Sequence, residues 1–170
     1  MNTLTHIVIK LSNQAYGLSS AVLRHNSTAF QYGAVWVGKP DHPLAASVIA
    51  KVNEQVSRGI KTYLFIIDPD HSYATAYKAE LQAATLKSPP DKQLIPLFYK
   101  ELHLLHRMKA WFKVKEFHLF NLEEFPVLDQ INTSYDIQEF RARKYGKRMH
   151  PGGFAFQLPE APLFLCEETE

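Results

Sequence analysis

"DHPLAASVIAKVNEQVSRGIKTYLFIID", residues Asp41 to Asp68, joins the clearest helix signal in the chain to a β-rich run, and the fold class turns on it. Leu44, Val48, Ile49, Val52 and Val56 recur at helical spacing. Asp41 or His42 suits the cap region, Pro43 the first turn, and Gly59 the stop. "KTYLFIID" then carries the β-branched and aromatic residues of a strand and ends at the turn signal "DPDHS".

On the carboxyl side, "YATAYKAELQAATL" alternates as a long strand until "KSPPD" breaks it, so two adjacent antiparallel strands follow the helix. "LIPLFYKELHLLHR" mixes a loop-favouring Pro96 with a leucine pattern that suits a short helical turn, and both readings stay open. "MKAWFKVKEF", Met108 to Phe117, is a further strand. Its alternation puts Ala110, Phe112 and Val114 on the core side and Trp111 with Lys109, Lys113 and Lys115 on the face expected to be wet. "FAFQL" is a last short strand before a proline-punctuated acidic tail.

On the amino side, "LTHIVIKL" alternates as a half-buried strand over about 4–11. A short helix is expected around Tyr16 to Arg24. Ala34 to Val37 then form a short buried strand, stopped by Gly38 and Pro40. Strands gathered around one good helix predict an α+β protein built on a small twisted β-barrel, not a parallel βαβ stack. One domain is expected over 1–170, with a barrel core at about 33–158, a strand and short helix at 1–32 and a tail at 159–170.

Composition sets outer limits. The 170 residues are 46% hydrophobic and 21% charged, close to globular averages and unlike a disordered or fibrous chain. A net charge of +2 neither demands nor excludes an anionic partner. Cys166 is the sole cysteine, so no internal disulfide can form. The start "MNTLTHIVIKLSNQ" lacks a signal-peptide pattern, and no apolar run approaches the length needed to span a bilayer. The expected setting is the cytoplasm, with no membrane partner.

The order of elements resembles the PUA-like superfamily, which includes the PUA, ASCH, EVE and YTH domains. The matching stretches are "AVWVGKPD", "VIAKVNEQVSRG", "KTYLFII", "YATAYKAELQAA", "AWFKVKEF" and "FAFQL", over about 33–158. The ASCH pattern G-x-K-x-x-E-x-R is only half kept: "GIKTYLFI" has Gly59 and Lys61, but Leu64 and Ile66 stand where Glu and Arg belong. EVE and YTH domains are more similar, with an aromatic near the end of the first strand of the matched region, here Trp36. The resemblance implies a small barrel that binds RNA or a modified base in an aromatic cage.

The residues themselves allow that chemistry. Aromatic faces hold a base by stacking with little dependence on sequence, and hydrogen bonds to its edge then select it. Trp36, with Tyr32 and Tyr63 as further aromatics, is the candidate base pocket, and Trp111 a platform on the backbone side. General burial preferences favour the alternative that Trp36 is core. Lys109, Lys113 and Lys115, with Arg141, Arg143, Lys144, Lys147 and Arg148 of "FRARKYGKRMH", form the candidate phosphate-tracking surface.

Enzyme signals are thinner. Asp68, Asp70 and Glu80 compose the runner-up reading, a metal-dependent nuclease or RNA-processing toxin, although "DPDHS" is first a turn. His103 and His106 lack companions at metal-ligand spacing. No P-loop, Rossmann glycine pattern or G-x-S-x-G occurs. The expected function is therefore a cofactor-free, non-enzymatic module that binds DNA or RNA, with a protein-interaction domain as a third reading.

Overall fold

The computed structural model describes residues 3–40, 43–68, 75–121 and 154–159. Among these residues seven strands make one mixed sheet: β1 (Thr3–Lys10), β2 (Val35–Pro40), β3 (Tyr63–Ile67), β4 (Thr75–Thr85), β5 (Met108–Val114), β6 (His118–Asn121) and β7 (Phe154–Pro159). Among the described residues four α-helices accompany them: α1 (Asn13–Tyr16), α2 (Ala21–Tyr32), α3 (Ala46–Ser57) and α4 (Phe98–Glu101).

The strand order is β2-β5-β4-β3-β1-β7, with β6 also on β4. β1 and β3 run parallel, and the other pairs are antiparallel. β4 is long enough to hold β6 along Thr75–Lys78 and β5 along Leu81–Thr85 on one edge, while β3 takes the other edge. Among the described residues β2 and β7 end the sheet without meeting. The chain is thus α+β on an open sheet, and the barrel closure expected from the sequence is not formed by these pairings.

The strands read from the sequence follow one another along the chain as expected, but β6 is an additional strand where one continuous strand was expected, α3 begins at Ala46 and not near Pro43, and two further boundaries differ. The first helical segment is two helices broken at Gly17, and the second continues to Tyr32, where Gly33 takes φ 86°. Gly33 N–H closes that helix on Ala29 O at 2.8 Å. β2 runs through Gly38 to Pro40 where an end at Val37 was expected.

The reason is local. Gly38 lies so close to its neighbours that an added Cβ would meet Met108 Cγ and Sδ at 2.7 Å and the Trp111 ring at 3.0 Å. The glycine admits these side chains to the strand instead of ending it. Its N–H donates to Tyr99 Oη at 2.9 Å, and its C=O accepts from Tyr16 Oη at 2.6 Å. Two tyrosine hydroxyls therefore satisfy the β2 backbone on the side away from β5, which also blunts an otherwise available strand edge.

α3 docks across β1 and β4 with Ile49 and Val52 buried beneath it. On one flank Asn53 donates from Nδ2 to Ala84 O at 2.8 Å and accepts from Ala84 N–H at 2.9 Å. On the other, Gln55 accepts from Thr5 N–H at 2.7 Å and donates to Thr5 O at 2.9 Å. Each amide stands in for one residue of a neighbouring strand: β3 pairs with β1 only from Ile7, and with β4 only up to Glu80. A buried peptide group needs such a partner.

Candidate functional site

The face of β5 expected to be wet is covered at its centre, at Trp111. Trp111 is 2% exposed and Trp36 3%, and both belong to the core that runs through the sheet. The alternation assigned the parity correctly, since Trp36 stands opposite Lys113 and Gly38 opposite Trp111. What it missed is the long β4–β5 connection, residues 86–107, which folds back over that side. Tyr99 of this connection tilts against Trp111 at 5.0 Å between ring centroids. Asp91 accepts from Trp36 Nε1 at 2.6 Å and from Lys113 Nζ at 2.9 Å. Burial alone would raise the Asp91 carboxyl, but these two donors outweigh it and hold the group below its ordinary value.

The other predicted residues are dispersed. Tyr63 is buried on β3 with Lys78 Nζ 4.9 Å from its ring centroid. Tyr32 is 56% exposed at the end of α2. Lys115 lies 3.6 Å from Glu80, and Lys109 is exposed. The four aromatics therefore do not converge on one pocket, and Lys113 is committed to Asp91. Arg141, Arg143, Lys144, Lys147, Arg148 and Asp70 lie outside the described residues.

The carboxylates of the nuclease reading separate as well. Glu80 is opposite Tyr63 at one end of the β3–β4 ladder, whereas Asp68 follows Ile67 at the other. At about 3.3 Å per residue they stand roughly 16 Å apart along the strand. No cluster of three or more His, Cys, Asp or Glu suited to a metal occurs among the described residues.

Beneath the sheet's β2 edge lies a buried polar chain. His25 Nδ1 sits 2.7 Å from Ala21 O and Nε2 2.6 Å from Tyr99 Oη. Because Ala21 O can only accept, Nδ1 carries the hydrogen and Nε2 accepts the Tyr99 hydroxyl. The imidazole is neutral, and burial pushes its pKa down to about 4. Burial likewise raises the Tyr99 phenol well above its usual range. Phe98 and Tyr16 meet the His25 ring edge-on, and Phe98 stacks on Tyr99. This chain holds its members rigidly and leaves no nucleophile open to solvent.

An open site does exist where β1 and β3, the parallel pair, reach their carboxyl ends. Such ends, facing the start of a helix, are where ligands lodge in sheets with parallel strands. A cleft of about 350 Å³ is lined there by Asn13, Ser19, Ser20, Asn26, Asp68 and Tyr77, with Leu23 at its mouth. Its walls are braced: Asn13 Oδ1 accepts from Ala21 N–H at 2.7 Å, and Asn13 Nδ2 donates to Ser19 O at 3.1 Å. Asn26, which also lines the cleft, accepts from Phe117 N–H through Oδ1 at 2.8 Å, so the amide's other polar group is the donor Nδ2. The Tyr77 phenol is raised, chiefly by burial and further by the Asp68 charge.

The donor set is informative. Amides and hydroxyls offer both donors and acceptors, Tyr77 adds an aromatic ring, and the single carboxylate opposes a phosphate. The lining can thus both donate and accept hydrogen bonds, with one carboxylate that only accepts. Sequence reading missed the cleft because its residues come from four separate segments. Only Asp68 had been singled out, and for other chemistry. Comparison with family models, with curated proteins and with solved structures finds no match.

Proposed function

We propose that this protein is a nucleic-acid-binding module of PUA-like, barrel-related architecture that holds one nucleobase, plain or modified, in the cleft at the carboxyl ends of β1 and β3. The observation that carries this reading is the donor set of that cleft: Asn26 as a donor, Asp68 as an acceptor, serine hydroxyls as either, and Tyr77 beside them. The resemblance to EVE and YTH domains supports it, with one change from the sequence reading. Trp36 is closed off by Asp91, so its part is to shape the scaffold while the polar cleft takes the base.

No catalytic step belongs to this reading. The basic run Arg141 to Arg148 enters it through its sequence alone, as a phosphate-binding segment. The test is titration of nucleoside monophosphates and short DNA and RNA oligonucleotides, methylated and unmethylated, with the full chain. Asp68→Asn keeps the shape but removes the charge, and Asn26→Ala removes the donor. Each is expected to lower affinity about tenfold, in line with 1–3 kcal/mol for a good base-edge contact, and chelators should have no effect. Failure of every ligand to bind, or full binding by Asp68→Asn and Asn26→Ala, would refute the proposal.

A further inference from the structure

A second cleft, about 470 Å³, runs along the other flank of α2, between that helix and residues 92–98. It is lined by Arg24 and Lys92, by Tyr32 and Leu97, and by hydroxyl and amide side chains, with no Asp or Glu among its lining residues. Arg24 and Lys92 are exposed. Tyr32 and Leu97, both in its lining, are 56% and 74% exposed. Arg24 also lies over the Phe98 ring, its guanidinium carbon 5.6 Å from the centroid, which fixes the cation at the groove's wall.

The two clefts flank one helical turn. Leu23 lines the first and Arg24 the second, and Leu23 itself is 64% exposed between them. From Arg24 to Tyr32 is eight residues of α2, about 12 Å at 1.5 Å per residue. Along that path the positive end of the helix and Arg24 come first, favourable to phosphate, and the aromatic comes last.

We infer that this groove is the track for single-stranded nucleic acid leading away from the base cleft, with Arg24 and Lys92 on phosphates and Tyr32 stacking an adjacent base. The inference rests on the base-cleft reading. Charge selects the occupant, because a groove with two cations and no carboxylate in its lining favours a polyanion. Base stacking on Tyr32 requires an unpaired strand, since a duplex buries its base faces.

The experiment measures the full chain against three probes at two salt concentrations: a nucleoside monophosphate, a single-stranded octanucleotide and the matching duplex. The variants are Arg24→Glu/Lys92→Glu and, separately, Tyr32→Ala, with circular dichroism as a folding check. The wild type should bind the octanucleotide at least tenfold tighter than the monophosphate or the duplex. The double variant should lose that advantage and reduce the salt slope, since each phosphate contact on a single strand adds about 0.7 to it. Tyr32→Ala should lower octanucleotide affinity severalfold at unchanged slope, and it keeps the test decisive should the double variant not fold.

Unchanged octanucleotide affinity in these variants, with monophosphate binding still sensitive to Asp68→Asn, overturns the track and leaves the base cleft standing. Equal losses for single strand and duplex overturn it in favour of general electrostatic attraction. Self-association abolished by the double variant, with nucleic-acid affinity intact, overturns it in favour of a second copy of the chain in the groove. No binding of any probe overturns the cleft and the track together.

Discussion

Gly38 shows how much can hang on one missing side chain. Its backbone groups are held by Tyr16 and Tyr99, and its Cα faces Met108 and Trp111 too closely for a methyl group. Gly38→Ala should therefore destabilise by about 1–3 kcal/mol, the usual cost of overpacking. Met108 is flexible, so Met108→Ala in the same chain should return part of that loss in urea unfolding. Independent, additive losses from the two changes would contradict the contact. His25 makes a different case at the same scale. Its folded pKa of about 4 lies below the ordinary 6.5, so the unfolded chain takes up a proton first as pH falls. Stability contributed by the neutral form is complete above about 6.5 and declines between 6.5 and 4. The shift corresponds to about 3 kcal/mol at roughly 1.4 per unit. His25→Gln should be less stable at pH 7 yet show a shallower decline across that window in denaturant titrations at pH 7, 6 and 5.

At the scale of elements, α3 and the β4–β5 connection are each fastened by a few polar groups. Gln55→Ala would leave Thr5 N–H and C=O buried without their helix partner, a cost of about 2–4 kcal/mol on the usual penalty for unsatisfied groups. The amide hydrogen of Thr5 should then exchange faster with solvent. Asp91→Ala would orphan the buried Trp36 indole N–H and release Lys113. It should lower stability by about 1–3 kcal/mol and shift indole fluorescence toward that of a more exposed tryptophan. An unchanged emission spectrum would show that Asp91 does not hold the connection over Trp36. α3 itself was legible because Val48, Ile49, Val52 and Val56 recur at helical spacing within it. The connection was not, because its pieces are too short for periodicity to register: three residues, four and three.

For the whole molecule, the sheet order explains why site residues scatter or gather. The barrel core was expected at about 33–158, with the part played by the strand and short helix of residues 1–32 left open. Yet β1 lies inside the sheet between β3 and β7, and α1 and α2 supply Tyr16 and His25 to the core. His6, on β1, is likewise buried, and burial lowers its pKa to about 3. Two buried neutral histidines give the whole fold a common acid sensitivity: the midpoint of thermal unfolding should fall steeply between pH 6.5 and 4, beyond the decline expected from His25 alone. No helix among the described residues is long and apolar enough to cross a membrane.

Composition and alternation were sufficient to establish an α+β chain, six of the seven described strands in order around one amphipathic helix, and which residues of "MKAWFKVKEF" share a face. These are local properties, fixed by a period of two or 3.6 along the chain. Whether a second layer covers the opposite face is not local. Trp111 stands on the side predicted for it, Trp36 shares that side, and the return of Asp91 and Tyr99 across it helps to remove both from solvent. The same holds for the base cleft, since Asn13, Asn26, Asp68 and Tyr77 meet only because β1 and β3 lie parallel and α2 begins beside their ends. Their spacing in sequence carries no period from which that meeting could be read.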